Sequence, residues 1–193
     1  IFLNDTNKTF KGLIEFKPFY FVSSLNYQTF RIKDLVNNPF FIEILKSQIL
    51  NNKNINALIN FNVRDVYDFD RFSNLSLRLK IEEGNYNFSN SNIVWKENVQ
   101  IFLSETFLNF EKEKIYLNGR TSFDIKNKDE FFKFFQIKKE LRKNIEKIEL
   151  DFNYDLNEEK ITFDNLRIDN KSNKKIEEII SNFNASNKKF LNK

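Results

Sequence analysis

The chain has 193 residues, 40% of them hydrophobic, which suits one domain with a sizeable core. It has no His, Cys or Met, only 3 Gly and 2 Pro, yet 24 Phe. The usual general bases, thiol nucleophiles, disulfides and thiolate metal sites are therefore excluded. The balance of 31 basic against 27 acidic residues, a net +4 with the signs interspersed, gives no block of charge of the kind nucleic acid attracts. Lys, Asn and Ile are the residues of A/T-rich codons, and that coding bias explains much of the basicity. With no Met and Ile1 at its start, the chain is expected to be a piece of a longer protein, whose anchor would lie upstream.

Thr9 to Lys17 and Phe19 to Tyr27 are apolar and aromatic and read as two strands separated at Pro18, and Thr29 to Leu35 extends the meander. Asn38-Pro39 then places a cap before a Pro at the first helical position. Phe40, Phe41, Ile44, Leu45 and Ile49 keep helical spacing after it, predicting a helix from Pro39 to Leu50. From Ile55 the period is two: Ile55, Ala57, Ile59, Phe61 and Val63 alternate with polar residues. Leu75, Leu77, Leu79 and Ile81 do the same until Glu83-Gly84 turns the chain. Short strands follow at Tyr86 and Phe88, Ile93 to Trp95, Val99 to Leu103 and Thr106 to Phe110. Lys114 to Ile125 is a strand carrying Ile115 and Leu117, with Gly119 marking a bulge or close approach.

The next stretch carries the strongest signals. Asn127-Lys128-Asp129-Glu130 has the form of a capping box, so a helix is expected from Lys128, and Phe131, Phe134, Ile137 and Leu141 prolong it to Asn144. Ile148, Leu150, Phe152 and Tyr154 then alternate, as do Ile161 and Phe163 after a turn at Asn157-Glu158-Glu159, which predicts a hairpin. Ile176, Ile179, Ile180 and Phe183 mark a last helix, and Asn184 to Lys193 reads as a frayed end.

The chemistry is sparse. Asp124 with Asp129 and Asp164 with Asp169 are the best-placed carboxylates, but they fall where Asp supplies turn and cap hydrogen bonds. Asp155 to Glu159 lacks the Gly and the distal Glu of a calcium loop. Lys133, Lys138, Lys139, Arg142 and Lys143 form a basic helix face that reads as a solvated surface, with Asp129, Glu130, Glu140 and Glu146 mixed in. No enzyme, cofactor or metal site follows from these residues, and no nucleic-acid partner is expected.

Around nine or ten strands with one apolar face and only three covering helices must hide that face. The sheet either doubles into a sandwich or curls into a gutter lined by something else, such as lipid. Taken together, Phe10-Lys11-Gly12 through Tyr20, Ile81-Glu82-Glu83-Gly84, Leu117-Asn118-Gly119-Arg120, and Phe134-Phe135-Gln136 with Arg142-Lys143 and the hairpin to Ile168-Asp169 resemble the C-terminal part of an AsmA-like protein. The resemblance implies a non-catalytic envelope protein, anchored in the inner membrane, whose periplasmic part binds or conducts phospholipid in outer-membrane biogenesis. The fold expected is mainly β (α+β): one domain over 1–193, part of a larger β-groove protein, with a long antiparallel meander sheet curled into an open groove and about three short helices at its margins. The groove-lining candidates are Leu75, Leu77, Leu79, Ile81, Ile115, Leu117, Leu150, Phe152, Ile161 and Phe163. Phospholipid acyl chains are the expected partner, with envelope proteins as further ones. The alternative is a scaffold domain acting through protein contacts at its sheet edges, without lipid transport.

Overall fold

The computed structural model describes residues 2–4, 6–17, 19–33, 39–47, 49–67, 71–111, 114–172 and 174–186. The chain is mainly β, with every strand in one 11-stranded mixed sheet. In order, the elements are β1 (Phe2–Asn4), β2 (Lys8–Phe16), β3 (Phe19–Phe30), α1 (Pro39–Ser47), β4 (Ile55–Val66), β5 (Phe72–Glu82), β6 (Asn85–Asn87) and β7 (Asn92–Trp95). They continue with β8 (Val99–Glu111), β9 (Lys114–Ile125), α2 (Lys128–Phe134), β10 (Lys147–Asp155), β11 (Lys160–Ile168) and α3 (Lys174–Ser186). Spatial order follows chain order from β1 to β11, except that β7 pairs with β5 and β8 beside β6. The two ends of that path are β1 and β11, so the sheet is open.

Several strands depart from the expected meander, each for a local reason. β3 and β4 run parallel, with Phe19 opposite Ile55 and Phe30 opposite Val66. Parallel neighbours need a crossover, and α1 with the 3-10 turn Ile49–Asn51 supplies it. α1 stops at Ser47, whose hydroxyl donates to the Ile44 carbonyl at 2.7 Å and so competes with helix continuation. β3 continues to Phe30, and Leu35 lies outside the described residues. The separately expected strands at Val99 to Leu103 and Thr106 to Phe110 are one strand, β8, with a bulge where Glu105 takes φ 48. Gly119 sits in β9 beside that bulge, and a Cβ built there would lie 2.7 Å from the Thr106 Cα, so only glycine lets the two backbones approach.

The helix expected to reach Asn144 ends at Phe134. The Gln136 N–H donates to the Lys133 carbonyl and the Ile137 N–H to the Phe132 carbonyl at 2.9 Å, with Gln136 at φ 54. This is a Schellman stop, with Gln in the left-handed position that glycine usually fills. At the other end the Asn127 side chain accepts from the Glu130 N–H at 3.2 Å, as the capping box requires. Glu130 does not reach back. Its carboxylate takes Lys133 at 2.7 Å instead, and the neighbouring ammonium holds its pKa down.

Two of the hairpins follow the turn chemistry read from the sequence. Glu83 and Gly84 take φ 51 and 80, the left-handed pair of a type I′ turn between Glu82 and Asn85. In the β10–β11 turn the Asp155 carboxylate accepts from the Asn157 and Glu158 N–H groups at 2.9 and 3.0 Å. Asn157 in turn accepts from the Ile115 N–H at 2.9 Å, which ties this turn to β9.

Candidate functional site

Cross-strand register decides which side chains share a face, since directly opposed residues point the same way. Ala57, Ile59, Phe61 and Val63 of β4 oppose Ile81, Leu79, Leu77 and Leu75 of β5. Ile81 opposes Tyr86, Tyr86 opposes Leu108, and Leu108 opposes Leu117. Leu117 opposes Tyr154, which opposes Ile161, while Thr121 and Gly119 oppose Leu150 and Phe152. Phe152 opposes Phe163, and Phe110 opposes Ile115. All the lining candidates therefore lie on one face. Ile81 and Ile115 are buried, and Leu75, Leu77, Leu79, Leu117, Leu150, Phe152, Ile161 and Phe163 are half-buried.

The same rows place Ile59, Phe61, Ile101, Leu103 and Phe123 on this face beside them. These residues were not among the candidates, although their alternation was present in the sequence. Tyr86, Leu108 and Leu45, at the heart of the buried cluster, had no comparable signal: one strand is three residues long, one follows a bulge, and the third is a helical contact.

Among the described residues, cover lies at the margins. At one rim Leu45 of α1 packs with Ala57, Ile81, Tyr86, Leu108 and Ile115, joined by Phe110 and Leu156. At the opposite rim Trp95, in register with Val99 and through it with Ile125, receives Phe134 of α2 at 4.7 Å between ring centres. Phe132 of α2 is buried, whereas Phe135 and Leu141 are exposed. α3 lies along β11, where Phe183 meets Phe163 at 5.1 Å. Among the described elements it is the one helix packed along a strand, and α1 and α2 touch the sheet at its rims. The strip between the rims, running across the strands through Phe61, Leu77, Leu103, Thr121, Leu150 and Phe152, has no described helix lying along it.

The opposite face is largely polar and internally bonded. Asn26 donates to Thr9 at 3.1 Å, Asn62 donates to Asn26 at 2.9 Å, and Ser76 donates to Asn62 at 2.9 Å, a ladder across β2, β3, β4 and β5. Across β8 to β11 a charged ladder follows: Arg120 reaches Glu105 at 3.4 Å and Asp151 at 2.8 Å, and Asn165 donates to Asp151 at 2.8 Å. Burial alone would raise the Asp151 pKa, but the hydrogen bonds from Arg120 and Asn165 outweigh it and hold the carboxyl below its ordinary value. The same pairing raises Arg120. The clefts among the described residues are shallow and mostly polar-lined. One of about 600 Å³ is lined by Glu15, Tyr20, Arg78 and Lys80 with Ala57 and Ile81.

The other sequence candidates resolve into structural roles. Asp169 accepts from the Glu146 and Lys147 backbone N–H groups at 2.9 Å, which depresses its pKa. Asp129 pairs with Arg142 at 3.7 Å, Asp164 opposes Asp151, and Asp124 opposes Gln100 and Lys147. Among the described residues no three carboxylates gather as a metal cage. With α2 ending at Phe134, Lys138, Lys139 and Lys143 stand beyond the helix, so the continuous basic helix face does not form. No described helix is long and apolar enough to cross a membrane. Comparison with protein-family models, curated proteins and solved structures returns no match for this chain.

Proposed function

We propose that the apolar face of this sheet is a binding surface for phospholipid acyl chains, in a non-catalytic protein of AsmA-like type whose parent is anchored in the inner membrane and faces the periplasm. The observation that carries the reading is a continuous apolar face, many strands wide, on which the described helices lie at the rims and along β11 and to which no second sheet closes among the described residues. An apolar strip of that extent costs about 25 cal/mol for every Å² left in water, which is why soluble monomers rarely leave one bare. Acyl chains fit because the face offers methyl and phenyl groups and few polar partners, Ser23 opposite Ile59, Thr106 beside Gly119 and Thr121 being small polar exceptions. The polar groups of the sheet are concentrated on the opposite face, where the ladders hold them.

The test is lipid content. The purified chain is extracted and its phospholipid measured by mass spectrometry, beside Leu79→Asp and Phe152→Asp, with circular dichroism to establish folding. On this reading the wild type carries phospholipid and the variants stay folded while losing it, since the introduced charge borders an open trough where water reaches it. In a closed core the same charge has neither water nor partner and unfolds the chain. A wild type without lipid, with variants that unfold, overturns the reading in favour of a scaffold domain working through protein contacts.

A further inference from the structure

The separation into one apolar and one polar face fails at a single corner. At the end of the β2–β3 hairpin, Ile14, Phe16 and Phe19 lie on the apolar face, since Ile14 opposes Phe21 and Phe16 opposes Phe19. On the other face Leu13 opposes Val22 and Val22 opposes Leu58, with Tyr20 next to this row opposite Glu15. Both sides of the tip are thus greasy, and both are open: Leu13 is 56% exposed, Ile14 42%, Phe16 76%, Phe19 36% and Tyr20 37%. No other place on the described surface gathers as many exposed large apolar side chains, the rest being scattered singly or in pairs. Exposed Lys17 follows Phe16 in the turn, and exposed Lys11 stands lower on β2.

What covers such a tip must surround it. A strand added to the edge of β2 would satisfy backbone groups and shield one flank, and a partner packed on the sheet would cover one face and leave the other wet. A bilayer interface closes over both faces at once. It also suits the residue types: aromatic rings at the level of the head groups, a tyrosine with one polar end, and lysines whose stems lie along apolar surface while their ammonium groups stay among the phosphates. The geometry points to the β2–β3 hairpin tip as a membrane contact that inserts Leu13, Ile14, Phe16 and Phe19 shallowly into a phospholipid interface, with Lys17 beside lipid phosphate. The tip shares the apolar face with the α1-covered rim, since Phe19 opposes Ile55 and Phe21 opposes Ala57, and Phe21 packs against the Leu45 cluster. The contact itself does not depend on the strip being occupied.

The experiment is flotation of the full chain with vesicles of phosphatidylcholine and phosphatidylglycerol. Phe16→Ser and Leu13→Ser are compared singly and together with Phe107→Ser, a 40% exposed aromatic far from the tip, as control. Because Phe16 and Leu13 are mostly exposed, their replacement leaves the fold intact, which circular dichroism checks. The wild type and Phe107→Ser float, each tip variant partitions about tenfold less, and the double variant less again, as expected for apolar area withdrawn from lipid. A wild type that does not float overturns the proposal, as does unchanged partitioning of the double variant. So does light scattering showing a wild-type dimer that the tip variants dissociate, because the tip then serves a second copy of the chain. A chain that floats but carries no bound lipid upholds the tip and removes the acyl-chain strip, so the two readings fail separately.

Discussion

Replacing Tyr86 with phenylalanine should stabilise this protein, and by more at high pH than at neutral pH. Tyr86 lies 1% exposed among Ile81, Leu108 and Phe110, with its ring centre 5.4 Å from that of Phe110. Its hydroxyl has no hydrogen-bond partner among the described residues. A buried hydroxyl left unpaired costs about 1–3 kcal/mol, and Tyr86→Phe removes it while keeping the ring that fills the space. The expected gain at pH 7 is therefore about 1–2 kcal/mol, and each kcal/mol raises Tm by about 2–4 °C for a chain of this size. The second signature comes from ionisation. Burial pushes the Tyr86 phenol up to about 12, from an ordinary value near 10. The folded state keeps the proton to higher pH than the unfolded state does. Above pH 10 the unfolded chain binds fewer protons, and stability falls as pH rises toward 12, by about 1.4 kcal/mol per unit. Tyr86→Phe lacks this limb, so its advantage over wild type should grow by roughly 1 kcal/mol between pH 8 and pH 11, while the titrating lysines cancel in the comparison. Urea unfolding followed by circular dichroism at the two pH values measures both effects. A variant less stable than wild type at pH 7, or an advantage that does not widen with pH, would refute the reasoning by showing that the hydroxyl is satisfied.

Two further substitutions probe the sheet itself. Gly119→Ala places a methyl against the Thr106 Cα at 2.7 Å and its Cβ at 2.8 Å, so it should destabilise by about 1–3 kcal/mol in urea titration, with part recovered by adding Thr106→Gly. Asp151→Asn removes a carboxylate held between Arg120 and Asn165, and should cost about 1 kcal/mol at pH 7. Because the folded pKa of Asp151 is depressed, its contribution is present above the unfolded value of about 3.9 and is lost as pH falls through the folded value. The gap between Asp151→Asn and wild type should therefore close in acid, and a gap independent of pH would show that the loss is packing and not charge.

Period-two alternation made most of the strands legible, because each strand has one side turned to the apolar face and the other to water. Leu75 to Ile81 and Ile148 to Tyr154 read correctly for that reason, and the register then carries their alternation from strand to strand. The failures have physical causes of the same local kind. The polar pair Ser104-Glu105 looks like a break between strands, whereas a residue with positive φ absorbs it as a bulge and the strand goes on. The end of α2 was hidden because Gln136 holds the left-handed position, in a chain so short of glycine that Asn74, Asn90, Asn165 and Asn170 also take φ between 49 and 68. Helical spacing continued through Ile137 and Leu141 with only the 3-10 turn Lys139–Leu141 to carry it, and Leu141 ends up exposed. The direction of β4 was not written in either strand, since alternation is the same for parallel and antiparallel neighbours. The candidate face was legible as a pattern, but its openness depends on which strands meet across the whole sheet.

That openness raises the question of why the sheet stops where it does, and its two margins answer differently. An unpaired strand edge invites further strands, and proteins blunt it with bulges, charges or a covering element. β11 carries all three. The Asn184 side chain of α3 accepts from the Phe163 N–H at 2.9 Å and donates to the Phe163 carbonyl at 2.8 Å, so one amide group stands in for the next strand. Asn165, at φ 52, puts a bulge just beyond it, and Lys160 and Arg167 are exposed nearby. Growth of the sheet is blocked there by side chains the sequence commits to the purpose. On the other side, among the described residues, β1 pairs with β2 along Thr9 to Lys11, and β2 continues to the greasy tip. On the reading proposed above, lipid would conform to strip and corner alike, whereas a second copy stacked on the strip would leave the corner uncovered on its polar side.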